Sequence, residues 1–143
     1  MVGTRSCPLC REVLAPPSKS SRFYEDELFV AFPANSALSH GHSLLVPRRH
    51  VEAIGGLKTL ELEDLGPALA IVATRLQRLS RDFTVSLNHG PVAGQEEPHI
   101  HFHIIPRYVD GVGSLAPGRA WGYDAPRKRV SPRAARELAA VLR

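Results

Sequence analysis

Cysteine is scarce in this chain, with only Cys7 and Cys10 among 143 residues. Two thiols cannot build a disulfide scaffold, and a chain that is 43% apolar can form its own core without one. Long hydrophobic runs are missing too: no stretch reaches the roughly 18 uncharged apolar residues that a membrane helix needs. The opening residues MVGTRSCPLC lack the apolar segment of a secretory signal. Internal repeats and low-complexity tracts are likewise absent. These absences lead us to expect a cytoplasmic protein of one domain with no membrane association, its thiols serving as metal ligands or redox groups.

Positive charge is present but uneven. The net charge is +4, yet residues 119–143 alone carry +5 through Arg119, Arg127, Lys128, Arg129, Arg133, Arg136 and Arg143 against Asp124 and Glu137. From Arg127 onward no aromatic residue interleaves with these cations, and no recognition motif accompanies them, so the tail reads as a solvated surface and no nucleic acid is expected.

The coarse secondary structure follows from periodicity and breakers. A first segment, Cys7–Pro17, ends at the turn APPSKS, and short strands are expected at Ser21–Tyr24 and Leu28–Phe32. The loop Pro33–Gly41 leads into the strand Ser43–Pro47, and Arg48–Gly56 reads as a loop or short helical turn. Leu65, Leu69, Val72, Leu76 and Leu79 form the stripe of the main helix, which starts or kinks at Pro67, with Thr59 capping an earlier turn. A half-buried strand, Phe83–Asn88, and the turn GPVAG follow. Beyond Pro106 the fold is unreadable until Ser131 and Pro132 announce a terminal helix.

The informative strand is His99-Ile100-His101-Phe102-His103-Ile104-Ile105. Side chains on a strand alternate between faces, so the three imidazoles share one side while Ile100, Phe102 and Ile104 face the core. Clustered histidines disfavour protonation, through mutual repulsion and desolvation. Metal chelation, nucleophilic or acid–base chemistry on a phosphoryl substrate, and accident are the three explanations. The flanking GPVAGQEEPHIHFHIIPR adds a glycine turn and an amide donor, Gln95.

With Gly94-Gln95 ahead of it, this His-x-His-x-His run resembles the signature of the histidine triad (HIT) superfamily, and GHSLLVPRRH from Gly41 to His50 is similar to that family's second hallmark. The resemblance covers Cys7 to Arg107. It implies an α+β fold, an antiparallel sheet of about five strands with one long helix, followed here by a C-terminal helical tail. A catalytic domain over 1–107 and a loop and basic tail over 108–143 are expected, and family members pair as a homodimer.

The resemblance also implies chemistry. HIT proteins cleave nucleotides through a covalent nucleotidyl-histidine, formed by the middle histidine, here His101, whose second ring nitrogen is held by a backbone carbonyl. His103 and His42 match donors to the phosphate, Gln95 the amide at the bridging or phosphate oxygen, and Asn88 an asparagine at the nucleotide, though Asn88 reads equally as a turn former. The family's ribose-binding position falls on Ala34, so either neighbouring Asn35 substitutes after a local shift of the loop, or ribose is held weakly and the preferred substrate is altered. Leu9 and Phe32 match the apolar base wall and read equally as ordinary core. Residues beyond Pro106, Trp121 among them, are expected to cover the leaving-group side.

In many bacterial members the C-x-x-C joins two histidines in a structural zinc site, here Cys7, Cys10, His50 and His99. The rival is a redox dithiol, which expects a βαβ context not seen around Cys7. The expected activity is that of a nucleotide phosphoramidase or nucleotidyl hydrolase releasing a nucleoside monophosphate. Its rivals are a dinucleoside polyphosphate hydrolase or phosphorylase, and a nucleotide-binding dimeric module with residual catalysis. A third rival is metal-dependent hydrolysis with His99, His101 and His103 as ligands.

Overall fold

Residues 6–119 and 126–143 are described by the computed structural model, so Trp121 lies outside the described residues. Seven strands occur among them: Tyr24–Glu25 (β1), Phe29–Pro33 (β2), Ser36–Ala37 (β3), Ser43–Pro47 (β4), Asp82–Leu87 (β5), Phe102–Arg107 (β6) and Lys128–Arg129 (β7). The helices are Pro8–Leu14 (α1), Thr59–Leu76 (α2) and Pro132–Leu142 (α3). Five strands join one antiparallel sheet in the order β1-β2-β4-β6-β5, and β3 pairs with β7 apart from it. The architecture is the expected α+β one, with a five-stranded antiparallel sheet and one long helix. Among the described residues no helix is long and apolar enough to cross a membrane.

The sheet is buried on both faces at its centre, and alternation along the strands assigns each face a partner. Phe29, Ala31, Leu45, Phe102 and Ile104 pack with Ala68, Val72 and Leu76 of α2. Val30, Phe32, Leu44 and Val46 pack with Cys7, Leu9, Cys10 and Val13 around α1. In the register Leu44 lies opposite His103, which puts the histidine face on the α1 side.

Several expected boundaries move for physical reasons. The ladder of the histidine strand begins at Phe102, because the Ile100 N–H donates to the Val51 carbonyl at 2.7 Å and not to a sheet neighbour. The expected strand Ser21–Tyr24 is replaced by β1, since the Ser21 N–H and hydroxyl bind the Glu12 carboxylate and the buried Arg22 guanidinium caps the Glu12 and Ala15 carbonyls ending α1. The main helix neither starts at Pro67 nor is capped by Thr59. It starts at Thr59, where the Lys58 N–H is satisfied by the Glu61 carboxylate at 2.8 Å, and carries Pro67 inside. Pro67 sits on an exposed face with Glu63, whose carbonyl has no proline N–H to accept from.

The terminal helix forms as read, with the Ser131 hydroxyl accepting from the Ala134 N–H at 3.1 Å. Its Ala139 and Leu142 are fully buried in the same core as α2.

Candidate functional site

Gly41 introduces the first site histidine. It sits at φ +89°, and a Cβ there would lie 2.5 Å from Leu79 Cδ1, so only glycine suits the turn that feeds His42 into β4. The turn also aims the Leu38 N–H at His42 Nδ1, 3.0 Å away. That nitrogen is therefore the acceptor, and the neutral ring carries its proton on Nε2. His42 Nε2 in turn donates to His103 Nδ1 at 2.9 Å, which leaves the proton of His103 on its own Nε2.

His101 has the opposite tautomer. Its Nδ1 lies 2.8 Å from the His99 carbonyl oxygen, which can only accept, so Nδ1 holds the proton and Nε2 presents a lone pair. The His101 and His103 rings are 5.0 Å apart, centroid to centroid. A ring nitrogen with a free lone pair and a ring N–H donor thus stand side by side. Burial, then the neighbouring His103, Arg127 and His101, push His42 down to about 3; burial, then His101 and Arg127, push His103 down to about 4. Both rings are neutral at pH 7.

His99 belongs to a different group. Its Nε2 donates to the Pro47 carbonyl at 2.8 Å, turning Nδ1 toward Cys7 Sγ at 3.5 Å and Cys10 Sγ at 3.3 Å. His50 Nδ1 lies 3.2 Å from Cys10 Sγ. The four donor atoms of Cys7, Cys10, His50 and His99 all fall within 4.8 Å of one another and can hold a metal ion. Two thiols and two imidazole nitrogens, one pre-set as a lone pair by Pro47, form a fitting donor set for a borderline-soft divalent cation. Desolvation, then the hydrogen bond and charge of Cys7, pushes the Cys10 thiol up to about 11. The cysteines form no disulfide. The triad therefore divides, His99 toward the sulfurs and His101 and His103 toward His42.

A cavity of about 120 Å³ opens over the second group, lined by His42, His101 and His103 together with Leu9, Asn35, Leu44, Glu96, Glu97 and Arg127. An adjoining cavity of about 230 Å³ shares Leu9, Asn35 and Leu44 and adds Phe32, Val130 and Ala135. Leu9 and Phe32 thus line one recess, in which Glu12, Lys19 and Arg136 also stand, and Asn35 lies on the walls of both cavities. Asn88 follows β5 and lines neither cavity. Gln95 also lies off the cavity wall: its amide oxygen accepts from the Gly90 N–H at 2.8 Å and its nitrogen donates to the Glu52 and Glu97 carbonyls, both at 3.1 Å.

Arg127 and Glu96 are cavity residues that motif reading passes over. The sequence places Arg127 in a solvated tail, and the pairing of β7 with β3, with the Val130 N–H on the Asn35 carbonyl, carries that tail to the histidines.

The protein-family model described as HIT domain matches residues 16–110. The chain is 40% identical over 93 residues to an uncharacterized HIT-like protein of Methanocaldococcus jannaschii, covering 64% of this chain and 71% of that one. It is 34% identical over 97 residues to the bis(5'-adenosyl)-triphosphatase of Saccharomyces cerevisiae, covering 65% of this chain and 47% of that one. Among solved structures it is similar to a zinc-bound histidine triad family protein from Mycobacterium smegmatis. There the TM-score is 0.70 and the identity 26%, over 98% of this chain and 95% of that one.

Proposed function

The chain belongs to the HIT domain family, and from that premise we propose that it is a nucleotidyl hydrolase that releases a nucleoside monophosphate from a phosphoramidate or phosphoanhydride. The observation that carries the reading is the hydrogen bond from His101 Nδ1 to the His99 carbonyl, 2.8 Å long, which leaves a lone pair on Nε2 at the cavity wall. His101 Nε2 attacks the α-phosphorus, a P–N bond forms, and the leaving group departs with the electrons of the broken bond, an amine taking up a proton from solvent as it leaves. Water then attacks the same phosphorus, its hydroxyl joins the nucleoside monophosphate, its other proton passes to solvent, and Nε2 regains its lone pair as the P–N bond to His101 breaks. His103 Nε2–H, oriented through His42, donates to a phosphate oxygen as charge builds there.

Leu9 and Phe32 flank the base and Asn35 meets the ribose, a reading supported by their places along the joined cavities. Gln95 and Asn88 reach phosphate and nucleoside once the Gly90–Gln95 turn re-aims their amides. Cys7, Cys10, His50 and His99 hold a structural zinc ion, supported by S–N separations of 3.2–3.5 Å, against about 3.5 Å between ligands of tetrahedral zinc. Bound there, zinc supplies a closed crosslink between α1 and the histidine strand and no catalysis. The reading includes a homodimer, supported by the exposed Leu62, Ile71 and Val85 on α2 and β5, and a cytoplasmic location.

The test is incubation with adenosine phosphoramidate and with diadenosine triphosphate, followed by mass measurement of an acid-labile adenylyl adduct. The adduct and AMP release should vanish in His101→Ala with metal content unchanged. Turnover that survives His101→Ala overturns the reading, and tight nucleotide binding without any adduct replaces it with a binding module.

A further inference from the structure

Arg127 comes from the C-terminal segment, far from both histidine blocks, yet it lines the same cavity as His42, His101 and His103. Its backbone is held in place. The next residue, Lys128, pairs with Ala37, and the Val130 N–H donates to the Asn35 carbonyl at 2.8 Å. The Arg127 side chain is 26% exposed, and its Nη2 faces Glu96 Oε1 at 4.0 Å. That carboxylate is 69% exposed, so the pair is loose and water-screened. Among the described residues lining the cavity, Arg127 is the only lysine or arginine. Its charge is near enough to the histidines to disfavour protonation of both His42 and His103.

A guanidinium matches the oxygens of a phosphate or sulfate with two parallel N–H donors, and it never gives up a proton near neutral pH. Leaving groups differ in what they ask of it. A phosphate chain or sulfate departs as an anion, carrying the electrons of the broken P–O bond and requiring no proton. Arg127 can neutralise that growing charge. An amine must be protonated as the P–N bond breaks, and a permanent cation offers it neither a proton nor a countercharge.

Resting on the nucleotidyl hydrolase reading above, we propose that Arg127 is a specificity-determining residue that selects nucleotides with an oxyanion leaving group over nucleotides with an amine leaving group. The loose pair with Glu96 gives way when the substrate oxyanion arrives. As the P–N bond to His101 forms and the P–O bond breaks, Arg127 binds the departing oxyanion.

Three substrates test this, each releasing AMP through the same attack: diadenosine triphosphate, adenosine 5′-phosphosulfate and adenosine phosphoramidate. In the full chain, Arg127→Gln should lower kcat/KM about 100-fold for the two oxyanion substrates, as loss of one charge-stabilising donor does. The phosphoramidate should change by less than about threefold, since the chemistry on the scissile phosphate is untouched. Arg127→Lys, which keeps the charge and loses the fork, should fall between. A loss confined to one oxyanion substrate supports the proposal and identifies the source. Equal loss on all three, or on none, overturns it. If the wild-type chain releases AMP from none of them, the hydrolase reading fails by itself, and calorimetric titration still decides about Arg127. ADP binding weakened about tenfold in Arg127→Gln with AMP unchanged supports oxyanion recognition; equal effects on both refute it.

Discussion

The Nε2–H of His42 donates to Nδ1 of His103 across 2.9 Å, joining the residue just before one central strand to a residue of the neighbouring strand. The Leu38 N–H on the far side of His42 makes the arrangement directional, so the last proton of the relay sits on His103 Nε2.

Removing His42 should therefore damage catalysis through His103. In His42→Phe the His103 ring is free to hold its proton on Nδ1, and the donor to the phosphate is lost. We expect kcat to fall about 100-fold with KM changed little, the pattern of a donor used in the transition state. Steady-state AMP release checks this, and an unchanged kcat contradicts the directional arrangement.

The sulfur–imidazole cluster should support the fold and not the chemistry. Stripping metal with a chelator, or Cys7→Ala, should lower the melting temperature; even ~3 kcal/mol of coupling corresponds to about 6–12 °C in a domain of this size. The adenylyl adduct should still form on whatever fraction stays folded. Metal analysis beside calorimetry reads both, and a metal-free chain that melts with the untreated protein would refute a structural metal.

Asp64 gives the fold a pH dependence of its own. Its carboxyl is pushed up to about 6, first by the hydrogen bond it shares with Asp26, then by burial and the charges of Asp26 and Glu27. Asp26 is held low by that bond, by Tyr24 and by the Phe29 and Leu28 N–H groups, against its burial. The folded state holds the Asp64 proton more tightly than the unfolded chain does. Its contribution is fully present below the ordinary carboxylate value near 3.8 and is lost as pH rises through about 6. Asp64→Asn should match the wild type near pH 4 and melt higher at pH 8, by about 2–4 °C per kcal/mol gained. Thermal melts across that range check it; parallel curves for the two chains contradict it.

The terminal helix should be indispensable to the domain. Leu142 is 0% exposed and sits in the core with Leu76 and Phe29. Leu142→Ala should cost about 2–5 kcal/mol, the usual range for a buried leucine. Urea unfolding measures it, and a cost near zero would make residues 108–143 an appendage.

Most of the sheet was legible because its signals are local. Ser43–Pro47 was read with its observed bounds, and α3 with its Ser131 cap, since alternation, capping and proline act over neighbouring residues. The helix start at Pro67 is corrected for the opposite reason. Proline argues locally for a start there, and burial of Glu61 together with Ala68, Val72, Ala73 and Leu76 on a helix that begins at Thr59 outweighs it. Gln95 could be singled out by its motif, but its three hydrogen bonds to Gly90, Glu52 and Glu97 have no counterpart in spacing.

By itself the sequence determined that His101 and His103 share a face and that Phe102 and Ile104 take the other, because the period of an extended backbone is set by its covalent geometry. Only the tertiary structure decided that His99 turns to Cys7 and Cys10, that His42 Nε2 meets His103 Nδ1, and that Arg127 shares a cavity with His42 and His103. Those contacts join residues brought together by strand pairing and packing, and the angle at which an imidazole or guanidinium arrives depends on every element packed between.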